Sequence, residues 1–165
     1  MPIKFNTDLT AEQLREVLDY NPVTGIFTWK VCRGCGCPRV GEVAGTPSSK
    51  GYIVISLRYK RYKAHRLAWL HFYGKWPEDQ IDHKDTIKTN NSIDNLRPAT
   101  NSQNMANALR HNGLKGVTYD RGRWIAQITK NRRKTYLGSF STKEEAHAAY
   151  ALKAKELHGE FSRLA

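Results

Sequence analysis

Asp82 and His83 are chain neighbours in Ile81-Asp82-His83-Lys84-Asp85, Asn95 follows twelve residues after the histidine, and Asn104 comes nine residues after that. An imidazole titrates near neutral pH and can take a proton from water. A carboxylate offers a charged oxygen to a hard divalent cation, and an amide offers a neutral one. An asparagine also carries both a donor and an acceptor, so Asn95 could tie the loop after His83 to its own backbone. Hydrolysis of a phosphodiester needs a deprotonated water and neutralisation of charge on the phosphate and the leaving oxygen, and this set supplies both.

The spaced set, rather than His83 alone, carries that reading, because a lone histidine is more often structural. Asn90, Asn91, Asn101 and Asn107 are amides that compete for the same roles. His65 and His71 lie on or beside an apolar helix face and are expected chiefly to pack. Adjacent residues in a regular strand point to opposite faces. If Asp82 and His83 serve one site, the sequence therefore predicts a bend or irregular loop at that point.

The elements that must position these residues follow from capping and periodicity. Thr10 with Gln13 is a capping box ahead of Leu14, Val17 and Leu18, predicting a short first helix. Asn21-Pro22-Val23-Thr24-Gly25 is turn chemistry, and Ile26-Phe27-Thr28-Trp29 alternates like a strand. Residues 52–57 are rich in β-branched side chains and run into Arg58-Tyr59-Lys60-Arg61-Tyr62, a predicted hairpin with a basic, aromatic tip suited to a phosphate backbone. Residues 64–73 read as a helix stopped by Gly74, and residues 101–110 as another capped by Thr100. Trp29, Trp69 and Trp76 are expected in the core or at its rim. Three short strands follow residue 113, and Ser141 with Glu144 is expected to cap a last helix bearing Ala146, Ala149, Tyr150, Lys153 and Leu157.

Charge narrows the partner. The chain has 165 residues and a formal net charge of +12, which points to nucleic acid or an anionic surface. The excess is concentrated in residues 113–140, where seven basic side chains face Asp120 alone. A membrane role would want a long apolar run or a basic amphipathic helix, and neither is present. Residues 1–20 are polar with no apolar segment of the secretory kind, so a cytoplasmic protein is expected, in the host-cell cytoplasm if phage-encoded. Cys32, Cys35 and Cys37 sit within six residues. Three thiolates with a remote histidine would make a structural zinc site, but the usual second ligand pair is missing, and the cysteines are expected to be incidental.

Residues 64–110, with Asp82-His83, Asn95 and Asn104, resemble the HNH nuclease motif, a ββα-metal finger, in the variant found in phage and intron-encoded homing endonucleases. The resemblance implies that Asp82 is a metal ligand, His83 the general base, Asn95 the brace of the finger and Asn104 the second ligand. The last position is an amide where the commonest pattern has a histidine, which favours magnesium or manganese over softer metals. Residues 113–165 resemble the plant ethylene-response-factor (AP-two) DNA-binding module, implying a three-stranded sheet that meets DNA through Arg121, Arg123, Trp124, Lys130, Arg132, Arg133 and Tyr136. Guanidinium groups suit phosphates and guanine edges independently of that resemblance, and aromatic rings suit sugars and thymine methyls.

The sequence thus predicts an α+β chain in three parts. These are a helix-and-strand region with a basic hairpin (1–63), an HNH finger (64–112), and a three-stranded sheet packed on one helix (113–165). The expected function is a metal-dependent DNA endonuclease of the nicking or homing type, with one divalent cation, Mg or Mn. It is expected to act as a monomer on double-stranded DNA, with Arg58, Lys60 and Arg61 adding contacts. The rival is a DNA-binding regulator that keeps the finger as a scaffold and shows salt-sensitive binding without nicking. An RNA-binding role is disfavoured because no exposed stacking motif of the familiar RNA modules is visible.

Overall fold

The computed structural model describes residues 9–31, 38–107, 114–130 and 133–162. The chain divides into two compact units, Met1–Pro98 and Ala99–Ala165.

In the first unit the elements are α1 (Ala11–Val17), β1 (Leu18–Tyr20), β2 (Phe27–Trp29), β3 (Thr46–Pro47), β4 (Ile53–Leu57), β5 (Lys60–Lys63), α2 (Ala64–Tyr73), β6 (Gln80–His83), a 3-10 turn (Ile93–Asn95) and β7 (Leu96–Ala99). Thr10 caps α1 as expected: its hydroxyl accepts from the Gln13 backbone N–H at 3.3 Å, and the Gln13 side chain accepts from the Thr10 N–H at 3.4 Å. β1 pairs antiparallel with β2, β3–β4–β5 form an antiparallel sheet, and β6 pairs with β7. α2 ends at Gly74, whose φ of 74° is the left-handed conformation in which glycine has no Cβ penalty. Leu14, Leu18, Phe27, Ile55, Leu67 and Leu70 are the largest fully buried side chains. Each stabilises the unit by about 1.5–3 kcal/mol relative to an exposed position. Residues before and after position 63 share this core, with Trp29, Trp69 and Trp76 packed at its edge.

The second unit holds α3 (Asn101–Asn107), β8 (Val117–Asp120), β9 (Arg123–Lys130), β10 (Arg133–Phe140) and α4 (Lys143–His158). The three strands are antiparallel in the order β10-β9-β8. Ala146, Tyr150, Ala154 and His158 recur every four residues and are buried, so one stripe of α4 covers the sheet, with Ile128 beneath it. Gly116 has φ +68°, and a Cβ there would stand 1.9 Å from the Tyr150 ring, so glycine is required where the chain enters β8.

The expected cap of α4 is corrected by one residue. Thr142, not Ser141, accepts from the backbone of Glu145 at 3.2 Å, and Glu145, not Glu144, reaches back. The sequence offers both Ser/Thr-x-x-Glu pairs. Because β10 runs to Phe140, the chain needs Ser141 to turn and only Thr142 reaches the helix start.

Candidate active site and nucleic-acid interface

The bend expected at Asp82-His83 is also corrected. β6 ends at His83, and the irregular backbone begins at the next residue, in a turn where Thr86 has φ 66°, so the departure from strand geometry lies on the C-terminal side of the histidine. Both side chains are buried, Asp82 at 5% exposure and His83 at 4%. Asp82 Oδ2 accepts from Arg97 Nε on β7 at 3.0 Å. His83 Nε2 lies 3.2 Å from Asn91 Oδ1.

The second of these contacts defines the tautomer. Asn91 Nδ2 donates to the Thr89 carbonyl at 3.2 Å, which directs the amide oxygen toward His83. An oxygen there can only accept, so Nε2 carries the proton and Nδ1 the lone pair. Asn91 is itself fixed from the β1–β2 side of the unit: Tyr20 Oη donates to its carbonyl at 2.7 Å, and the Ile93 N–H donates to the Pro22 carbonyl at 2.9 Å. Gly25 makes this approach feasible, since a Cβ there would lie 2.3 Å from the Ser92 nitrogen. Burial pushes the His83 pKa down, the Asn91 bond and the carboxylates of Asp85 and Asp82 pull it up, and Lys63 lowers it, leaving it below the ordinary value.

Asn95 braces the loop after the histidine. Its Oδ1 accepts from the Asp85 N–H at 3.1 Å, and its Nδ2 donates to Asp85 Oδ1 at 3.0 Å and to the Asn90 carbonyl at 2.9 Å. Burial works against ionisation of Asp85, but hydrogen bonds from Asn90, Ile87 and Asn95 outweigh it and hold the carboxyl below its ordinary pKa.

Three residues missed as site members gather around His83. The His65 ring is edge-on to that of His83 at 5.0 Å, and Tyr52 lies 6.1 Å from His83 and 5.2 Å from His65. Asn91 is the third, flagged in the sequence only as a competing amide. Its signal was the turn at residues 21–25, whose packing against it no local pattern reveals. His71 packs instead against Tyr20 and Phe27.

Asn104 lies on α3 in the second unit, half-buried, with its N–H bonded to the Thr100 carbonyl at 3.0 Å. Thr100 and Gln103 form a capping box there. Among the described residues no three His, Cys, Asp or Glu side chains cluster as a metal cage. A carboxylate and an amide oxygen are nonetheless hard donors. Each is a donor of the kind magnesium takes. Cys32, Cys35, Cys37 and Arg132 lie outside the described residues.

Strand alternation sorts the residues expected at the DNA interface. Ala126 and Ile128 are buried toward α4, so Trp124 and Lys130 share that face of β9, and Lys130 Nζ donates to the Leu157 carbonyl at 3.1 Å. Trp124 packs 4.8 Å from Tyr119, with Lys143 of α4 over its ring. Arg133, opposite Lys130, belongs to the same face by register. Trp124, Lys130 and Arg133, expected at the DNA interface with Arg123 and Tyr136, therefore lie on the α4 side of the sheet. Arg123 and Tyr136 occupy the opposite, open face together with Lys134, which pairs with Thr129, and Arg121 sits at the exposed β8–β9 turn. In the first unit Arg58, Lys60 and Arg61 are exposed at the β4–β5 hairpin.

No helix among the described residues is long and apolar enough to cross a membrane. Residues 62–106, from within β5 to within α3, match the family described as HNH endonuclease. The chain is 35% identical over 128 residues to "Uncharacterized HNH endonuclease L560" of Acanthamoeba polyphaga mimivirus, covering 76% of this chain and 68% of that protein. It is 32% identical over 112 residues to "Protein 3.8" of Escherichia phage T7, covering 64% of this chain and 92% of that protein. The matched segment contains Asp82, His83, Asn91, Asn95 and Asn104 together, and on these grounds the chain belongs to the HNH endonuclease family and is a nuclease.

Proposed function

We propose that the protein is a metal-dependent DNA endonuclease of the nicking or homing type in which Nδ1 of His83 takes the proton from the attacking water. The observation that carries this reading is the amide of Asn91, oriented by the Thr89 carbonyl, facing Nε2 of a buried His83. A ring held in that way presents one basic nitrogen in one direction, and orientation of this kind is a large part of what a catalytic base requires. Asn95 keeps the loop after His83 closed by holding Asp85 and Asn90. Asp82 and Asn104 would hold one magnesium or manganese ion, as the ββα-metal finger of the HNH family implies. The ion, when bound, would supply charge neutralisation at the phosphate and the leaving oxygen.

The second unit would position the duplex as an AP-two-like module, through the open face bearing Arg123, Lys134 and Tyr136 with Arg121 at the turn. The β4–β5 tip with Arg58, Lys60 and Arg61 would add backbone contacts. One finger per chain gives one strand cut per binding event by a monomer. Purified protein with supercoiled plasmid and magnesium or manganese should yield open circles, and His83→Ala should lower the rate by about 10²–10⁴-fold with duplex affinity retained. Undiminished nicking by that variant would remove His83 from the role.

A further inference from the structure

A basic pocket lies beside His83. Ser48, Ser49, Lys50, Tyr52, Arg61 and Lys63 line an open pocket on the β3–β4–β5 sheet, and none of its lining residues is acidic. Lys63 Nζ lies 4.5 Å from the centroid of the Tyr52 ring, and Lys88 Nζ lies 5.1 Å from it. Lys88 Nζ also donates to the backbone carbonyl of Lys50 at 3.0 Å, and the Lys50 charge acts on Lys63. Burial lowers the Lys63 pKa, and the like charges of Lys50, Arg66 and Lys88 lower it further. Among the described residues Lys63 forms no ion pair, and α2, which it precedes, has neither an acidic residue in its first turn nor a side-chain cap. The Asp82 carboxylate, which acts on Tyr52, is already paired with Arg97 at 3.0 Å, so the like charges of the lysines repel one another, and an anion seated among them relieves that repulsion.

Tyr52 joins this pocket to the site, since the same ring lies 6.1 Å from that of His83. Successive phosphates on one strand advance about 3.4 Å along the duplex axis. A strand with its scissile group at His83 therefore brings a neighbouring phosphate into the reach of the lysines around Tyr52.

We propose that Lys63, Lys50 and Arg61, arranged around Tyr52, form a subsite for a backbone phosphate of the cleaved DNA strand next to the scissile one, with Lys88 reinforcing its charge. The subsite rests on the reading of His83 as the cleavage centre. Lysine ammonium groups act there as point charges on the phosphate, and the serine hydroxyls can donate to its oxygens. Contacts of this type fix register along the strand and carry no base preference.

The test uses the full-length protein with Lys63→Gln, Lys50→Gln and the charge-preserving Lys63→Arg. Duplex binding is measured by fluorescence anisotropy without divalent ions over a salt series, and nicking is measured separately with magnesium. Each Gln variant should bind about tenfold more weakly at low salt and reduce the slope of log K against log salt by about one. Both should raise KM more than they lower kcat, and Lys63→Arg should restore most of the binding. Unchanged affinity and slope in both Gln variants would overturn the subsite. Because binding is read without metal, absence of nicking by the unmodified protein would count against the cleavage reading alone.

Discussion

Asn91 Oδ1 lies 3.2 Å from His83 Nε2, so the amide that orients the imidazole is four residues ahead of the one that braces the following loop. Removing it should therefore affect the rate more than the fold. In Asn91→Ala the backbone carbonyl that receives the Tyr20 hydroxyl remains, whereas the imidazole loses its fixed orientation. Nicking should fall by about 10–100-fold, the effect of a small misplacement of a reacting group, with duplex affinity unchanged in a gel-shift titration. A rate within twofold of the parent would show that another contact orients His83.

The Arg97–Asp82 ion pair, with side chains 12% and 6% exposed, holds a carboxylate that the proposed cation would also engage. Loss of one member of a buried pair typically costs about 3–5 kcal/mol. Arg97→Ala should lower the melting temperature of the metal-free protein, and millimolar Mn should raise it more in the variant than in the parent, because the ion then replaces the missing positive charge. Equal Mn-induced shifts in the two proteins would argue against Asp82 as a ligand.

Arg58 and Tyr59 form the two-residue β4–β5 turn with φ of 50° and 64°, conformations that cost a residue with a Cβ about 1 kcal/mol each. Asn-Gly is the pair such a turn favours. The double variant Arg58→Asn, Tyr59→Gly should melt about 4–8 °C higher and bind duplex DNA more weakly, with a smaller salt slope. A gain in stability without loss of binding would mean that the tip does not meet DNA.

His158 is buried at the end of α4, and burial first, then Lys130 and Lys115, holds its pKa below the ordinary 6.5. The unfolded chain therefore takes up a proton at higher pH than the folded one. This contribution is fully present above about pH 6.5 and is lost as pH falls through the depressed folded value. Thermal melts from about pH 7.5 to about pH 5 should show the second unit weakening on acidification, and His158→Gln should flatten that dependence. Parallel curves for parent and variant would assign the acid sensitivity elsewhere.

Several elements were legible because their causes are local. Thr10 with Gln13 starts α1, Gly74 stops α2, and the β-branched run at residues 53–57 makes β4, each through contacts a few residues apart. Alternation on β9 was visible too, but which parity would be covered was not. Ile128 and Ala126 settled it by packing beneath α4, and Trp124 and Lys130 followed them to that side. Nor could the sequence choose between two overlapping caps at residues 141–145, since the choice depends on where β10 lets go.

By itself the sequence determined the chemistry on offer: a histidine beside a carboxylate, amides at set intervals, and a strongly basic surround, since functional groups and net charge are properties of composition. Tertiary structure decided which amide meets which atom. Asn91 was chosen to hold His83 because Tyr20, Pro22 and Gly25, some seventy residues earlier in the chain, press that loop against the imidazole. Such a choice arises from steric fit between distant segments, which spacing along the chain does not encode.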